Sequence, residues 1–260
     1  MERLALVTGS SRGIGRATAI ALARAGARVV LTSRGGDDLK AAAREVAGAG
    51  PEPRVETCDF GFAGQIEALF DRLDSDGEAV DVLVNNVGAG RMGDFLDVPD
   101  TEWTILWELN VMSAVRCTRR VLPGMRERHW GRIVNVSSSA GIRPSARWPH
   151  YAPTKAALQA LTMVLADGYA KDGVTVNAVC PGPTLSPTWT AGNGLAASIA
   201  EAQGTTSARV LEAVGGRIPA GRMGEPGEIG AAIVFLASEE ASFVNGAVLS
   251  VDGGNVHVTA

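Results

Sequence analysis

Cysteine is scarce. Cys58, Cys117 and Cys180 are the only three, far apart and odd in number. That excludes a disulfide framework and a paired-cysteine metal site. Histidine is equally rare, and His129, His150 and His257 show no ligand spacing, so no metal is expected. No apolar run approaches the roughly 18 residues of a membrane span. The opening run Leu4–Val7 is too short for the core of a secretory signal and gives way at once to Thr-Gly-Ser. A basic tract is missing too. Lys and Arg number 24 against 28 Asp and Glu, a net charge of −4, which suits neither nucleic acid nor an anionic membrane. These absences leave a soluble protein of the reducing cytoplasm that handles small molecules.

Glycine, by contrast, is abundant, at 32 of 260 residues with no collagen period. Such glycines serve turns and close backbone approaches. Short aliphatic runs alternate with helical stretches. The runs Leu4–Val7, Val29–Thr32, Val55–Cys58, Val82–Val84, Ile133–Val136, Val174–Val179 and Val248–Val251 read as strands apolar on both faces. Helical spacing covers about 14–25, 37–47, 63–73, 101–127, 152–170 and 226–237. The alternation predicts an α/β fold: one doubly wound, Rossmann-type parallel sheet of about seven strands, helices on both faces. No linker, composition break or repeat divides it, so 1–260 is read as one domain. Residues 185–216 are rich in Gly, Ala, Ser and Thr with weak periodicity. They are expected to form a mobile flap with a short helix or two, over the crevice beyond the strand C-termini.

The first strand runs into Thr8-Gly9-Ser10-Ser11-Arg12-Gly13-Ile14-Gly15. A glycine turn there lets a diphosphate approach backbone N–H groups at a helix N-terminus, with Ile14 anchoring the helix on the sheet. No G-K-[S/T] follows, which argues against a P-loop. An acid at the end of strand two would bind a free ribose 2′-hydroxyl. The sequence has Thr32-Ser33-Arg34 instead, with Asp37 and Asp38 a few residues too late. Ser33 and Arg34, with Arg12 as a second cation, suit a 2′-phosphate, so NADP(H) is expected.

Tyr151 and Lys155 lie four apart at the start of a helix and share one face. A free tyrosine, pKa about 10, is phenolate in only about one molecule in a thousand at pH 7. A nearby ammonium favours the phenolate, and lowering the pKa to about 7 takes roughly 4 kcal/mol, which one close lysine together with the cofactor's positive nicotinamide would supply. The expected product is an acid–base group poised near working pH. Ser138, thirteen residues earlier and just past the fifth strand, faces the same crevice. Its hydroxyl can hold a substrate oxygen beside Tyr151.

With these residues assembled, the sequence resembles a short-chain dehydrogenase/reductase of the 3-oxoacyl-carrier-protein reductase type. The resemblance spans nearly the whole chain. It rests on Thr8–Gly15, Cys58-Asp59, Asn85-Asn86-Val87-Gly88, Asn110, Ser138, Tyr151, Lys155, Asn177–Gly182 and the terminal Asp252-Gly253-Gly254. It implies that Tyr151 is the general acid, Lys155 its pKa-lowering neighbour and a ribose ligand, and Ser138 the orienter of the reacting oxygen. Asn110 would hold a water leading protons toward the lysine. Gly9, Ser11, Arg12, Gly13, Ile14 and Gly15 would line the phosphates and adenosine ribose. Asp59 and Phe60 would flank adenine, Asn86 and Gly88 the adenosine side. Pro181, Gly182 and Thr184 would position the nicotinamide amide, with Ser186 where a threonine is common. Val87, Pro153 and Thr154 also depart from the usual residues without removing a chemical group.

Trp148 and Trp189 are candidate walls for a planar or long apolar ketone. No basic cluster marks a docking patch for an acidic carrier; Arg143, Arg147, Arg209, Arg217 and Arg222 are scattered. Apolar stripes run through Trp103, Leu106, Trp107, Val111 and Val115, and through Leu158, Leu161 and Leu165. The resemblance implies that these two helices pair between subunits of a homotetramer. The expected activity is NADPH-dependent reduction of a 3-oxoacyl thioester or related ketone. An NAD-dependent alcohol dehydrogenase and a catalytically idle dinucleotide sensor are the alternatives; Arg34 speaks against the first, the intact Asn110, Ser138, Tyr151 and Lys155 against the second.

Overall fold

The aliphatic runs become seven parallel strands in a computed structural model, which describes residues 3–256. His257 lies outside the described residues. The strands are β1 (Leu4–Val7), β2 (Arg28–Ser33), β3 (Arg54–Thr57), β4 (Val82–Asn85), β5 (Gly131–Val136), β6 (Val174–Pro181) and β7 (Val248–Val251). The helices are α1 (Gly13–Arg24), α2 (Asp37–Ala47), α3 (Ala63–Ser75), α4 (Asp100–Trp107), α5 (Ser113–Glu127) and α6 (Ser139–Ile142). They continue with α7 (Tyr151–Tyr169), α8 (Pro187–Thr190), α9 (Leu195–Gln203), α10 (Ser207–Gly215) and α11 (Pro226–Leu236).

The strand order is β3-β2-β1-β4-β5-β6-β7. The chain therefore winds outward from β1 to β3, returns, and winds the other way from β4. The two halves diverge between β1 and β4, which opens a crevice at their C-terminal ends. Side chains alternate across the sheet. Ala5 and Val7 meet Leu22, Ile229 and Ile233 of α1 and α11 on one face. Leu4 and Leu6 meet Leu69, Phe70, Val121 and Met125 of α3 and α5 on the other.

Central β1, β4, β5 and β6 are buried along their whole length. The outer strands depart from the expected two-faced burial. In β3 the exposed residues alternate, and in β7 all four stay at least partly accessible. Edge strands have a neighbour on one side only, so polar residues such as Arg54 and Glu56 are tolerated there.

Two expectations are refined. The helix at 101–127 runs on without a break but is not uniform: between α4 and α5, Glu108–Met112 forms a π-helical turn. One extra residue per turn aims Asn110 inward, as such bulges do at functional sites. The flap at 185–216 carries three helices, α8 to α10, and its own small core. Ala196 and Ala200 of α9 pack on Val210, Leu211 and Val214 of α10. Alanine supplies one side of that contact, which is why no strong stripe appears in the sequence.

Candidate active site

The crevice is assembled from loops leaving the C-terminal ends of six strands. At β1 the glycine turn is held by neighbours. Ser10 N donates to Thr32 O at 2.8 Å, and Thr32 N donates to Ser10 Oγ at 2.8 Å. Asn86 Nδ2 donates to Thr8 O at 2.8 Å and to Gly9 O at 3.1 Å. Asn86 thus braces the turn expected to face the adenosine side of the cofactor. Gly13 has φ +58°, and a Cβ on Gly15 would lie 2.4 Å from Gly9 O. Only glycine fits either position. The α1 N-terminus has no side-chain cap, and its first turn holds no acid. Its open N–H groups and positive dipole end suit a diphosphate. Ser11, Arg12 and Ile14 lie around this turn, Arg12 exposed.

At the end of β2, Ser33 Oγ accepts from Gly35 N at 3.1 Å, leaving its own proton free to donate. Arg34 is exposed. Neither Arg12 nor Arg34 makes an ion pair among the described residues. Asp37, the nearest acid in sequence, sits 3.3 Å from Lys40. Two unpaired guanidinium groups on these two loops fit an anion. After β3, Asp59 accepts from Gly61 N at 3.0 Å. Phe60 is 2% exposed, its side chain packed in the core beside Ile66 and Leu69. Only its backbone can flank a bound base.

The acid–base residues converge after β5. Ser138 caps α6, its Oγ accepting from Ala140 N at 3.1 Å. Tyr151 begins α7, its ring 5.4 Å from that of Trp148. Lys155, buried one turn later, donates from Nζ to Val136 O at 2.9 Å and stands 5.8 Å from the centre of the Tyr151 ring. Burial brings the Lys155 ammonium down to about 8. Burial also pushes the Tyr151 phenol above its ordinary value, the Ser138 hydroxyl pulling partly back. The lowering expected of Lys155 together with a cofactor's positive nicotinamide is not reached by the side chains alone, since Lys155 Nζ is turned to a carbonyl of β5.

Asn110, 1% exposed, is held at three points. Its Nδ2 donates to Ala89 O and to Thr154 Oγ1, and its Oδ1 accepts from Ala89 N, each at 2.9 Å. A Cβ on Gly88 would lie 3.1 Å from both Asn110 Oδ1 and Lys155 Nζ. Thr154, noted only as a departure, is therefore part of the bracing. Two supporting residues escaped the sequence reading. Ser137 Oγ donates to Lys155 O at 2.8 Å. Gln159 Nε2 donates to Ser137 Oγ at 3.1 Å and to Ser138 O at 3.3 Å, tying the serine loop to α7. Gln159 follows Tyr151 and Lys155 at the same four-residue interval, a signal the sequence did carry.

After β6, Gly182 N donates to Val251 O at 3.1 Å and Thr184 Oγ1 to Gly182 O at 2.9 Å. Pro181 and Thr184 are buried, and Ser186 stands at the start of α8 beside Gly13, with no side-chain capping bond. A cleft of about 250 Å³ lies between the loop at Met92–Gly93, Arg147 and α9. Neither proposed aromatic wall lines it. Trp148 packs at a tilt against Tyr151, and Trp189 rides on α8, whose first residues abut the glycine turn.

A family model described as enoyl-(acyl carrier protein) reductase matches residues 9–255. The D-beta-hydroxybutyrate dehydrogenase of Cupriavidus necator is 38% identical, covering 97% of each chain. The acetoacetyl-CoA reductase of Shinella zoogloeoides is 36% identical, covering 99% of this chain and all of its own. A crystal structure of the L-sorbose reductase from Gluconobacter frateurii, complexed with NADPH and L-sorbose, superposes with a TM-score of 0.92 at 35% identity. It covers 99% of this chain and 98% of that one. On its crevice geometry and these full-length likenesses, the chain belongs to the short-chain dehydrogenase/reductase family of oxidoreductases.

Proposed function

We propose that the chain reduces a ketone to a secondary alcohol with NADPH, the substrate being a 3-oxoacyl thioester or a related ketone. The observation that carries this is the meeting of Ser138, Tyr151, Lys155 and the braced Asn110 beside an open glycine turn with two free guanidinium groups. The acetoacetyl-CoA reductase relative and the NADPH-bound sorbose reductase neighbour support it. Bound NADPH supplies the hydride. Ser138 Oγ orients the carbonyl oxygen, and Tyr151 Oη gives it a proton. Burial keeps Tyr151 protonated near neutral pH, as an acid must be. Lys155 then restores that proton, and Asn110 holds the loop at Ala89 against the lysine. The glycine turn and the α1 N-terminus bind the diphosphate, with Arg12, Ser33 and Arg34 on the 2′-phosphate.

The Lys155 pKa of about 8 sets the pH test. Below that pH the amine carries a proton to pass on; above it the reserve is lost. Reductive kcat is expected to be level up to about pH 8 and then to fall about tenfold per unit. Lys155→Ala should be slow throughout and lack that break. Rates of NADPH loss with a panel of ketones and thioesters at pH 6 to 10 measure both; a wild-type rate level to pH 10 contradicts the lysine's role. Stability has the opposite sign. Lys155 holds its proton up to 10.5 when unfolded but only to about 8 when folded, so folding stability rises with pH between them.

We propose a homotetramer. The expected stripes face largely inward: Leu106, Val111 and Leu158 are buried in their own chain. The outward apolar residues are Ile105 and Trp107 on α4 and Met163 and Val164 on α7, the last 69% exposed. Exposed apolar side chains on both helices favour a covering partner. Light scattering should give four times the chain mass, and Val164→Glu should lower it. A wild-type monomer at micromolar concentration refutes the assembly.

A further inference from the structure

The cleft of about 250 Å³ beside α9 has a chemistry of its own. Met92, Ile199 and Ala202 give it apolar walls, and Ser198, Gln203 and Arg147 supply its polar groups. The Ser198 hydroxyl is engaged with Gly194 O at 3.3 Å. The Arg147 side chain is exposed, and its guanidinium has no hydrogen bond or ion pair among the described residues. No Asp or Glu lines the cleft. Its floor is continuous with the backbone that holds the reacting phenol. Gly93 N donates to Arg147 O at 3.2 Å, Gly90 lies flat against the Tyr151 ring, and Trp148 joins Arg147 to that ring.

A polyhydroxylated ketose needs a partner for each hydroxyl it buries. This cleft offers too few. It suits a short apolar segment along Met92, Ile199 and Ala202 that ends in a charged acceptor. A guanidinium fork pairs with the two oxygens of a carboxylate or phosphate. Granting that the site is a ketone reductase, we infer that the cleft takes the far end of an oxo substrate whose short apolar chain ends in an oxoanion, and that Arg147 selects for that anion. The oxoanion is the carboxylate of a free oxo acid, because the phosphates of a coenzyme A thioester stand beyond a long arm of amides and a hydroxyl for which the cleft has too few partners.

The test uses acetoacetate, its neutral methyl ester and acetoacetyl-CoA as substrates for the wild type and for Arg147→Gln, each with saturating NADPH. The substitution is at an exposed position, and a melting curve verifies that the fold is kept. The expected result is a rise in KM of about tenfold for acetoacetate, with kcat and the constants of the ester and the thioester unchanged. Loss confined to acetoacetate supports the carboxylate cleft, and loss confined to the thioester overturns it. Equal changes on ester and anions, or no change at all, overturn Arg147 as the selector. A wild type that uses the ester but neither anion overturns the oxoanion cleft. A wild type that consumes NADPH with none of the three, nor with other ketones, refutes the reductase reading itself.

Discussion

Tyr151→Phe is expected to lower kcat for ketone reduction by about 10²- to 10⁴-fold, the usual contribution of a positioned general acid. That corresponds to roughly 3–5 kcal/mol of barrier. The substitution removes one oxygen and keeps the ring. Gly90, whose missing side chain would otherwise sit 2.7 Å from Tyr151 Cδ2, still has its flat neighbour. Trp148 keeps its partner at 5.4 Å, and Lys155 Nζ keeps its bond to Val136 O. Folding and NADPH affinity should therefore stay near wild type. Losing the buried phenol should also leave the Lys155 limb without a group to reprotonate, so residual turnover should no longer break near pH 8. Stopped turnover with intact cofactor binding, by fluorescence titration and steady-state rates, is the result in view. Wild-type kcat in this variant would remove Tyr151 as the proton donor.

The parts of this site that were readable in the sequence are those written in local spacing. Tyr151 and Lys155 share a face because a helix repeats near four residues, and Gln159 was readable by the same rule. Central β1, β4, β5 and β6 were plain because burial on both faces demands an unbroken apolar run. What stayed hidden depends on contacts between distant segments. The π turn at Glu108–Met112 leaves the apolar pattern of its flanking helices almost unchanged, so the bulge at Asn110 has no signature. Asn110 finds Ala89 and Thr154, and Gln159 finds Ser137, only after the strands align. Desolvation is likewise a property of the assembled crevice. It reverses the pKa direction that Lys155 alone implies for Tyr151. Phe60 shows the converse: its place after β3 was legible, but the burial of its ring depends on α3.

Arg34→Asp is expected to reverse or erase a preference for NADPH over NADH. A 2′-phosphate carries close to two negative charges at neutral pH and accepts several hydrogen bonds. Arg34 stands after β2 with no acid paired to it, Ser33 has a free hydroxyl proton, and Arg12 adds a second unpaired guanidinium from the α1 turn. A charge-assisted contact contributes roughly 1.5–3 kcal/mol. Arg34 is exposed, and solvent screening places it at the lower end, about tenfold in affinity. The new carboxylate adds repulsion toward the phosphate and offers an acceptor to the 2′-hydroxyl of NADH, so the two effects act in the same direction on the ratio. The Kd for NADPH should rise by tenfold or more, while that for NADH holds or falls. Salt should narrow the wild-type preference and leave NADH binding nearly unchanged, because only the phosphate contact is between full charges. A wild type that binds NADH as tightly as NADPH at moderate salt would overturn the assignment of Ser33, Arg34 and Arg12 to the 2′-phosphate.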